Sequence, residues 1–263
     1  ITGNTASCGA GIYNNGGKLY MTSSTVSGNS SDTDGGGIYN DNLGKVEINH
    51  SIISNNFAPN GAGVYNNNSN GSIRLFHSTI SDNKNGEGVI NYGAMHFFGC
   101  TISGNTTIGP SNEGGGGIHN VSGVISMRNS TITANTAGLN GGGIISEGAQ
   151  SRVELFGCTV TGNTAKFGGG GGIYNDLGKF TLQSSIVSGN TAATSGHELY
   201  ADNIIIKANS FNLFGCEGEN DAQAFWGFVP GYDDVTATDD GAEPTALAAI
   251  LQPLANNGGP TYT

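Results

Sequence analysis

The chain has 263 residues, 46 of them Gly, and only 11% are charged: 9 basic against 20 acidic, for a net charge of −11. That sign disfavours nucleic acid and anionic membrane surfaces as partners, and no apolar run is long enough to span a bilayer. The glycines have no three-residue period, which excludes collagen, and the apolar residues recur at fixed places, which argues against disorder.

The recurring unit is Gly35-Gly36-Gly37-Ile38-Tyr39-Asn40. Close copies stand at Gly9–Asn14, Gly61–Asn66, Gly115–Asn120 and Gly170–Asn175, and weaker ones at Gly86–Asn91 and Gly141–Ser146. His197-Glu198-Leu199-Tyr200 is a last, degenerate echo. Aligning Ile12, Ile38, Val64, Val89, Ile118, Ile144, Ile173 and Leu199 gives a period of about 26 residues, so length here measures the height of a stack.

Next in each repeat comes an alternating phrase, Leu19/Met21, Val46/Ile48, Ile73/Leu75, Met95/Phe97, Ile125/Met127, Val153/Leu155 and Phe180/Leu182, whose intervening residues are mostly polar. That is strand periodicity with one buried face. The third phrase is Ser24-Thr25-Val26-Ser27-Gly28-Asn29, which returns as Ser51–Asn56, Ser78–Asn83, Cys100–Asn105, Ser130–Asn135, Cys158–Asn163 and Ser185–Asn190. Three short strands per repeat, separated by turns of different but phase-locked chemistry, predict a coil in which each strand pairs in parallel with its copy one repeat later. Coils then sit about 4.8 Å apart. The expected fold is all-β: a right-handed parallel β-helix of about eight three-strand coils over residues 1–208. Residues 209–263 are expected to form a final partial coil and C-terminal cap.

The turns agree with this. Asn4, Asn29, Asn56, Asn83, Asn105, Asn135, Asn163 and Asn190 close the third phrase, and Asn14, Asn40, Asn66, Asn91, Asn120 and Asn175 follow the Gly-rich strand. Asn tolerates left-handed backbone and its amide can bond along a stack, so both sets are expected as ladders. In the cap, Phe225, Trp226, Phe228 and Tyr232 form an aromatic cluster, and Ala246–Leu251 after Thr245 as N-cap reads as a short helix. Cys100 and Cys158 share a coil position two coils apart, about 9.6 Å, too far for a disulfide, and Cys8 and Cys216 lie near opposite ends.

With Gly35–Asn40, Ser24–Asn29, Asn212-Leu213-Phe214-Gly215 and the ending Gln252–Thr263 (which includes Pro253–Pro260) in view, the chain resembles the bacterial extracellular β-helix proteins known as choice-of-anchor or polymorphic-outer-membrane-protein-like repeat proteins. The resemblance implies a secreted or cell-surface protein and no particular reaction. The chain opens in mid-repeat at Ile1-Thr2-Gly3-Asn4, so it reads as a mature or trimmed part of a longer product.

Parallel β-helices also include pectate lyases and polygalacturonases, whose sites resemble one another in clustering carboxylates on adjacent coils. Here Glu47 and Glu154 share an outward column four coils apart, and Asp32, Asp34, Asp82, Glu87, Glu113 and Glu147 fall in turns at differing offsets. His50 and His77 stack, while His96 and His119 stand alone. No catalytic set emerges. Binding candidates are two outward aromatic columns, Tyr13, Tyr39, Tyr65 and Tyr174 on one and Phe76, Phe98 and Phe156, interrupted by Arg128, on the other. A Thr-x-Ser/Thr array (Thr25/Ser27, Thr79/Ser81, Thr101/Ser103, Thr131/Thr133, Thr159/Thr161) is similar to the ice-binding face of some β-helical antifreeze proteins. No cofactor is expected; the weak alternative is Ca²⁺ near Asp233, Asp234, Asp239 and Asp240.

The expected function is that of a non-catalytic, extracellular structural or adhesive protein. Its expected partners are copies of itself, end to end or laterally into a filament or layer, or cell-surface glycans. A polysaccharide lyase or hydrolase is the alternative, and a carbohydrate- or ice-binding surface the second.

Overall fold

The computed structural model describes residues 1–108, 114–202, 206–208 and 210–251. Each repeat lays one strand on each of three sheets, and every strand pairs in parallel with its copy one repeat on. The Gly-rich sheet has nine strands, from Ile12–Asn15 to Phe225–Trp226. The alternating sheet has eight, from Lys18–Thr22 to Ile206–Lys207, and the Ser/Thr sheet nine, from Thr25–Ser27 to Val235–Thr236. The result is a parallel β-solenoid of about eight turns. Its register is the one the period implies: Ile12, Ile38, Val64, Val89, Ile118, Ile144, Ile173 and Leu199 are successive partners, and Phe225 adds one more rung. The alternating sheet turns two files of each strand inward, among them Val46/Ile48, Ile73/Leu75 and Met95/Phe97. These meet Val26, Ile53 and Ile80 of the Ser/Thr sheet and the Gly-rich file in one continuous core.

Three strands per repeat is an incomplete description. A fourth, short column follows each ladder asparagine: Thr5–Cys8 pairs with Ser30–Asp34, and Thr136–Ala137, Thr164–Ala165 and Thr191–Ala192 form a small sheet. Single bridges Ser30↔Phe57, Phe57↔Lys84, Lys84↔Thr106 and Thr106↔Thr136 join the two. Beyond its first two strands each rung is two residues or a single bridge, too few to show an alternating pattern, which is why periodicity passes over them.

The ladder from Asn4 to Asn190 runs along one corner of the stack. The backbone N–H and Nδ2 of each asparagine both donate to Oδ1 of the next, as in Asn83 to Asn105 at 3.1 and 2.9 Å and Asn105 to Asn135 at 3.1 and 2.9 Å. From Asn29 onward these side chains are almost wholly buried, a cost that complete hydrogen bonding offsets. The left-handed backbone expected of them belongs instead to the preceding residue: Gly28, Asn55, Asp82, Gly104, Ala134 and Gly162 have φ between 54° and 65°. That turn leaves the asparagine able to aim both donors along the stack.

A second ladder runs Asn14, Asn40, Asn66, Asn91, Asn120 through Nδ2-to-Oδ1 bonds of 2.7 to 2.9 Å. At the next rung Ser146 and Ser151, 2.6 Å apart, take the place of an asparagine and the glycine that follows it elsewhere, and Asn120 donates to Ser151 instead. Buried Oδ1 of Asn175, one rung further, is left without a donor.

Glycine is demanded where the coils touch. A Cβ on Gly37 would lie 2.5 Å from the carbonyl oxygen of Gly63 and 2.9 Å from Nδ2 of Asn56. Ser24, Ser51, Ser78, Ser130 and Ser185 make a third, hydroxyl-based ladder in which Cys100 and Cys158 take two rungs. All four cysteines are free, and burial pushes the Cys100 and Cys158 thiols up to about 11.

At the C-terminal end Phe214, Phe225 and Phe228 meet edge to face and close the core. Tyr232 stands almost fully exposed outside this cluster, and Trp226 stacks on Tyr200. The expected helix is a single turn, Leu247–Ile250. Thr245 does not cap it: Ala246 occupies that position, and the Thr245 hydroxyl donates to the Glu243 carbonyl. Asn209, Glu113 and the ending 252–263 lie outside the described residues. Among the described residues no helix is long and apolar enough to cross a membrane.

Candidate binding face

The outer side of the alternating sheet carries three rows of side chains in register. The first is Lys18, Lys45, Ser72, Ala94, Val124, Arg152, Lys179; the second is Tyr20, Glu47, Arg74, His96, Ser126, Glu154, Thr181, Lys207; the third is Thr22, Asn49, Phe76, Phe98, Arg128, Phe156, Gln183. The fold thus gathers onto one sheet seven of the nine basic residues, leaving only Lys84 and Lys166 elsewhere. All seven are exposed. The ion pairs among the described residues belong to histidines, and none of these pairs involves the seven cations. Two acids, Glu47 and Glu154, share the face with them. An acidic protein therefore presents one positive, sheet-flat surface, a local property that net charge cannot reveal.

Aromatic rings are set among the charges. Tyr20 is 71% exposed, Phe98 40% and Phe156 38%, while Phe76 is half-buried. The Arg128 guanidinium lies over the Phe156 ring at 5.2 Å, a cation–π contact that holds both flat against the sheet. Next to the Phe row, His50 stacks on His77 at 5.2 Å and His77 meets the Phe98 ring edge-on at 5.5 Å. Lys18, Tyr20, Lys45, Glu47, Ser72 and Arg74 line a shallow groove of about 240 Å³. Burial, with the Arg74 charge beside it, lowers the pKa of His96 and favours its neutral form.

The tyrosine column has a different fate. Tyr13 is exposed and Tyr174 half-buried, but Tyr39 and Tyr65 are buried, contrary to the exposure expected of them. In-register parallel strands bring Tyr13, Tyr39 and Tyr65 together at 5.2 Å, and Tyr92, two residues beyond the in-register Ile90, adds a ring 5.9 Å from Tyr65. Tyr174, Tyr200 and Trp226 repeat this further along. Buried Ile90 and Ile145 and the half-buried His119 divide the two segments. The Thr-x-Ser/Thr array is likewise not a continuous exposed plane, since Ser54, Thr101, Thr133 and Ser188 are buried.

His119 does not stand alone. It lies between Glu147, with Nε2 3.0 Å from its carboxylate, and Glu87, 3.6 Å from Nδ1. Burial opposes its charge, but hydrogen bonds and charges from the two carboxylates outweigh it and push its pKa up to about 9. The trio is an interior charge cluster, largely closed to solvent. Three of the four aspartates considered for Ca²⁺ act as acceptors of main-chain N–H groups: Asp234 bonds Asn212 and Gly231, Asp239 bonds Gly218, and Asp240 bonds Asp221.

The phenylalanine row was legible in the sequence, and so was the separation of Glu47 from Glu154. The cations were not recognised as a set, although their signal is present: they recur at outward positions of the alternating phrase. Comparison with protein-family models, curated proteins and solved structures finds no match to this chain.

Proposed function

We propose that the protein is a non-catalytic, extracellular adhesive β-solenoid that binds a linear acidic polysaccharide along the outer side of its alternating sheet. The observation that carries this reading is the collection of seven exposed cations on one sheet of an otherwise acidic molecule, interleaved with exposed rings. Cations attract carboxylate or sulfate groups, and ring faces stack on sugar faces. Regular rows at about 4.8 Å spacing suit an extended polymer better than a compact ligand. The cell-surface setting rests on the likeness of the repeats to bacterial extracellular β-helix proteins. Adhesion is preferred over cleavage because the two carboxylates of this face, Glu47 and Glu154, lie four coils apart and cannot act on one glycosidic bond.

Titration of the whole chain with a polyuronate, a neutral polysaccharide of similar length and single-stranded DNA tests the reading. Binding of the polyuronate that weakens with salt, fails in Arg74→Gln/Arg128→Gln/Arg152→Gln and is absent for the neutral polymer supports it. Undiminished binding by the triple variant, equal preference for DNA, or shortening of the polymer would each overturn it.

A further inference from the structure

The Asn4–Asn190 ladder needs an acceptor at its far end, because every rung donates forward. No ninth asparagine follows Asn190. Its Nδ2 instead donates to Oε2 of Glu198 at 2.6 Å, and the Gly189 N–H donates to Oε1 at 2.6 Å. Glu198 occupies the third glycine position of the Gly-rich phrase, where earlier coils crowd a side chain between the next coil's carbonyl oxygen and the next asparagine amide; a Cβ on Gly172 would lie 2.6 Å from the Glu198 carbonyl oxygen and 2.8 Å from Nδ2 of Asn190. With that amide missing after the last rung, the glutamate turns in and takes its place.

This puts a carboxylate at full burial, and a second one joins it. Glu219 is 7% exposed, and neither of its oxygens has a hydrogen-bond partner. His197 Nδ1 lies 2.9 Å from Oε1, but out of line for a hydrogen bond. The half-buried Cys216 completes the group: one ligand atom each from Glu198, Cys216 and Glu219 lies within 4.8 Å of the others. Two buried carboxylates this close cannot both ionise without counter-charge, and the single His197 ring beside Glu219 can offset at most one of them.

We propose that Glu198, Cys216 and Glu219 bind a divalent cation of the Zn²⁺ class, fastening the C-terminal segment to the last full coil. The sulfur donor favours a borderline metal over Ca²⁺ or Mg²⁺, and three protein ligands leave a fourth tetrahedral position for water. His197 lies beside Glu219, outside that set. Because the ligands come from the Gly-rich strand and from the segment after it, occupancy couples the cap to the solenoid.

Chelator-treated full-length protein titrated with Co²⁺ tests this. A near-ultraviolet sulfur-to-cobalt absorption band is expected in the native chain and in Cys8→Ser, and is expected to vanish in Cys216→Ser. Glu219→Gln, which keeps the shape of the side chain, should lower affinity by at least about tenfold. Zn²⁺ should raise the thermal midpoint of the native chain by more than that of Glu219→Gln at the same metal concentration. Absence of the band in the native chain, its survival in Cys216→Ser, or equal metal affinity in Glu219→Gln would overturn the proposal.

Discussion

The inner corners of this solenoid and the outer side of its alternating sheet are built on the same register but obey opposite rules. In the corners each residue is both donor and acceptor to the same residue one coil away, so a change on one rung leaves its neighbours unsatisfied. On the outer sheet side chains face outward, and rows such as Tyr20, Glu47, Arg74, His96 mix charges and rings without disturbing the core beneath. Repetition is enforced where groups are buried and polar. Variety, and with it recognition, is free to gather where they are not.

The comparison is broken most severely from inside. Asn105→Ala removes the acceptor for two donors of Asn83 and the donors to Asn135 and Ile80, all buried. Each unsatisfied group costs about 1–3 kcal/mol, so a loss on the order of 3–5 kcal/mol is expected from denaturant titration, well above what any outer-sheet variant produces.

His119 probes a charge cluster set into the tyrosine column of the Gly-rich sheet. Its pKa is raised from 6.5 to about 9, so its contribution is fully present below about pH 6.5 and is lost as pH rises through about 9. The expected effect is on the order of 1–3 kcal/mol. The thermal midpoint of the native chain should therefore fall across this range more steeply than that of His119→Gln; parallel profiles would show that the cluster holds no proton of consequence.

The Ser146/Ser151 rung sharpens the rule, because two substitutions occur together where an asparagine and a glycine stand in other coils. At the equivalent glycines a Cβ would approach the ladder oxygen closely, 2.2 Å at Gly44 and 2.8 Å at Gly123. Ser146→Asn alone should therefore gain nothing, whereas Ser146→Asn/Ser151→Gly should repair the ladder, supply a donor to Asn175 and stabilise by about 1 kcal/mol. Additivity of the two single changes would deny the coupling.

The smallest effect is expected outside. Arg128→Gln removes an exposed cation from above Phe156 and should change stability by no more than about 0.5 kcal/mol in a denaturation curve, while weakening polyuronate binding.

Much of the trunk can be read directly from the residues. Ile38 and its copies fix the register, Val46/Ile48 and their copies fix an inward face, and the recurring asparagines announce the ladders. Each of these is a local pattern repeated at one period, which is the form of information a sequence carries plainly. The fourth short column was hidden because Thr164–Ala165 is too brief to show a pattern. The burial of Tyr39 and Tyr65 depended on rings of neighbouring coils covering one another, which composition does not express.

By itself, then, the sequence determined the repeat, the parallel register, the core files and the places where only glycine or asparagine fits, because each follows from contacts between identical positions one coil apart. Tertiary structure alone decided which non-identical residues meet. It placed Glu87 and Glu147 around His119, and brought Glu198, Cys216 and Glu219 together at the end of a ladder. These groupings join residues at unequal spacings, and only the folding of the chain converts such spacings into distance.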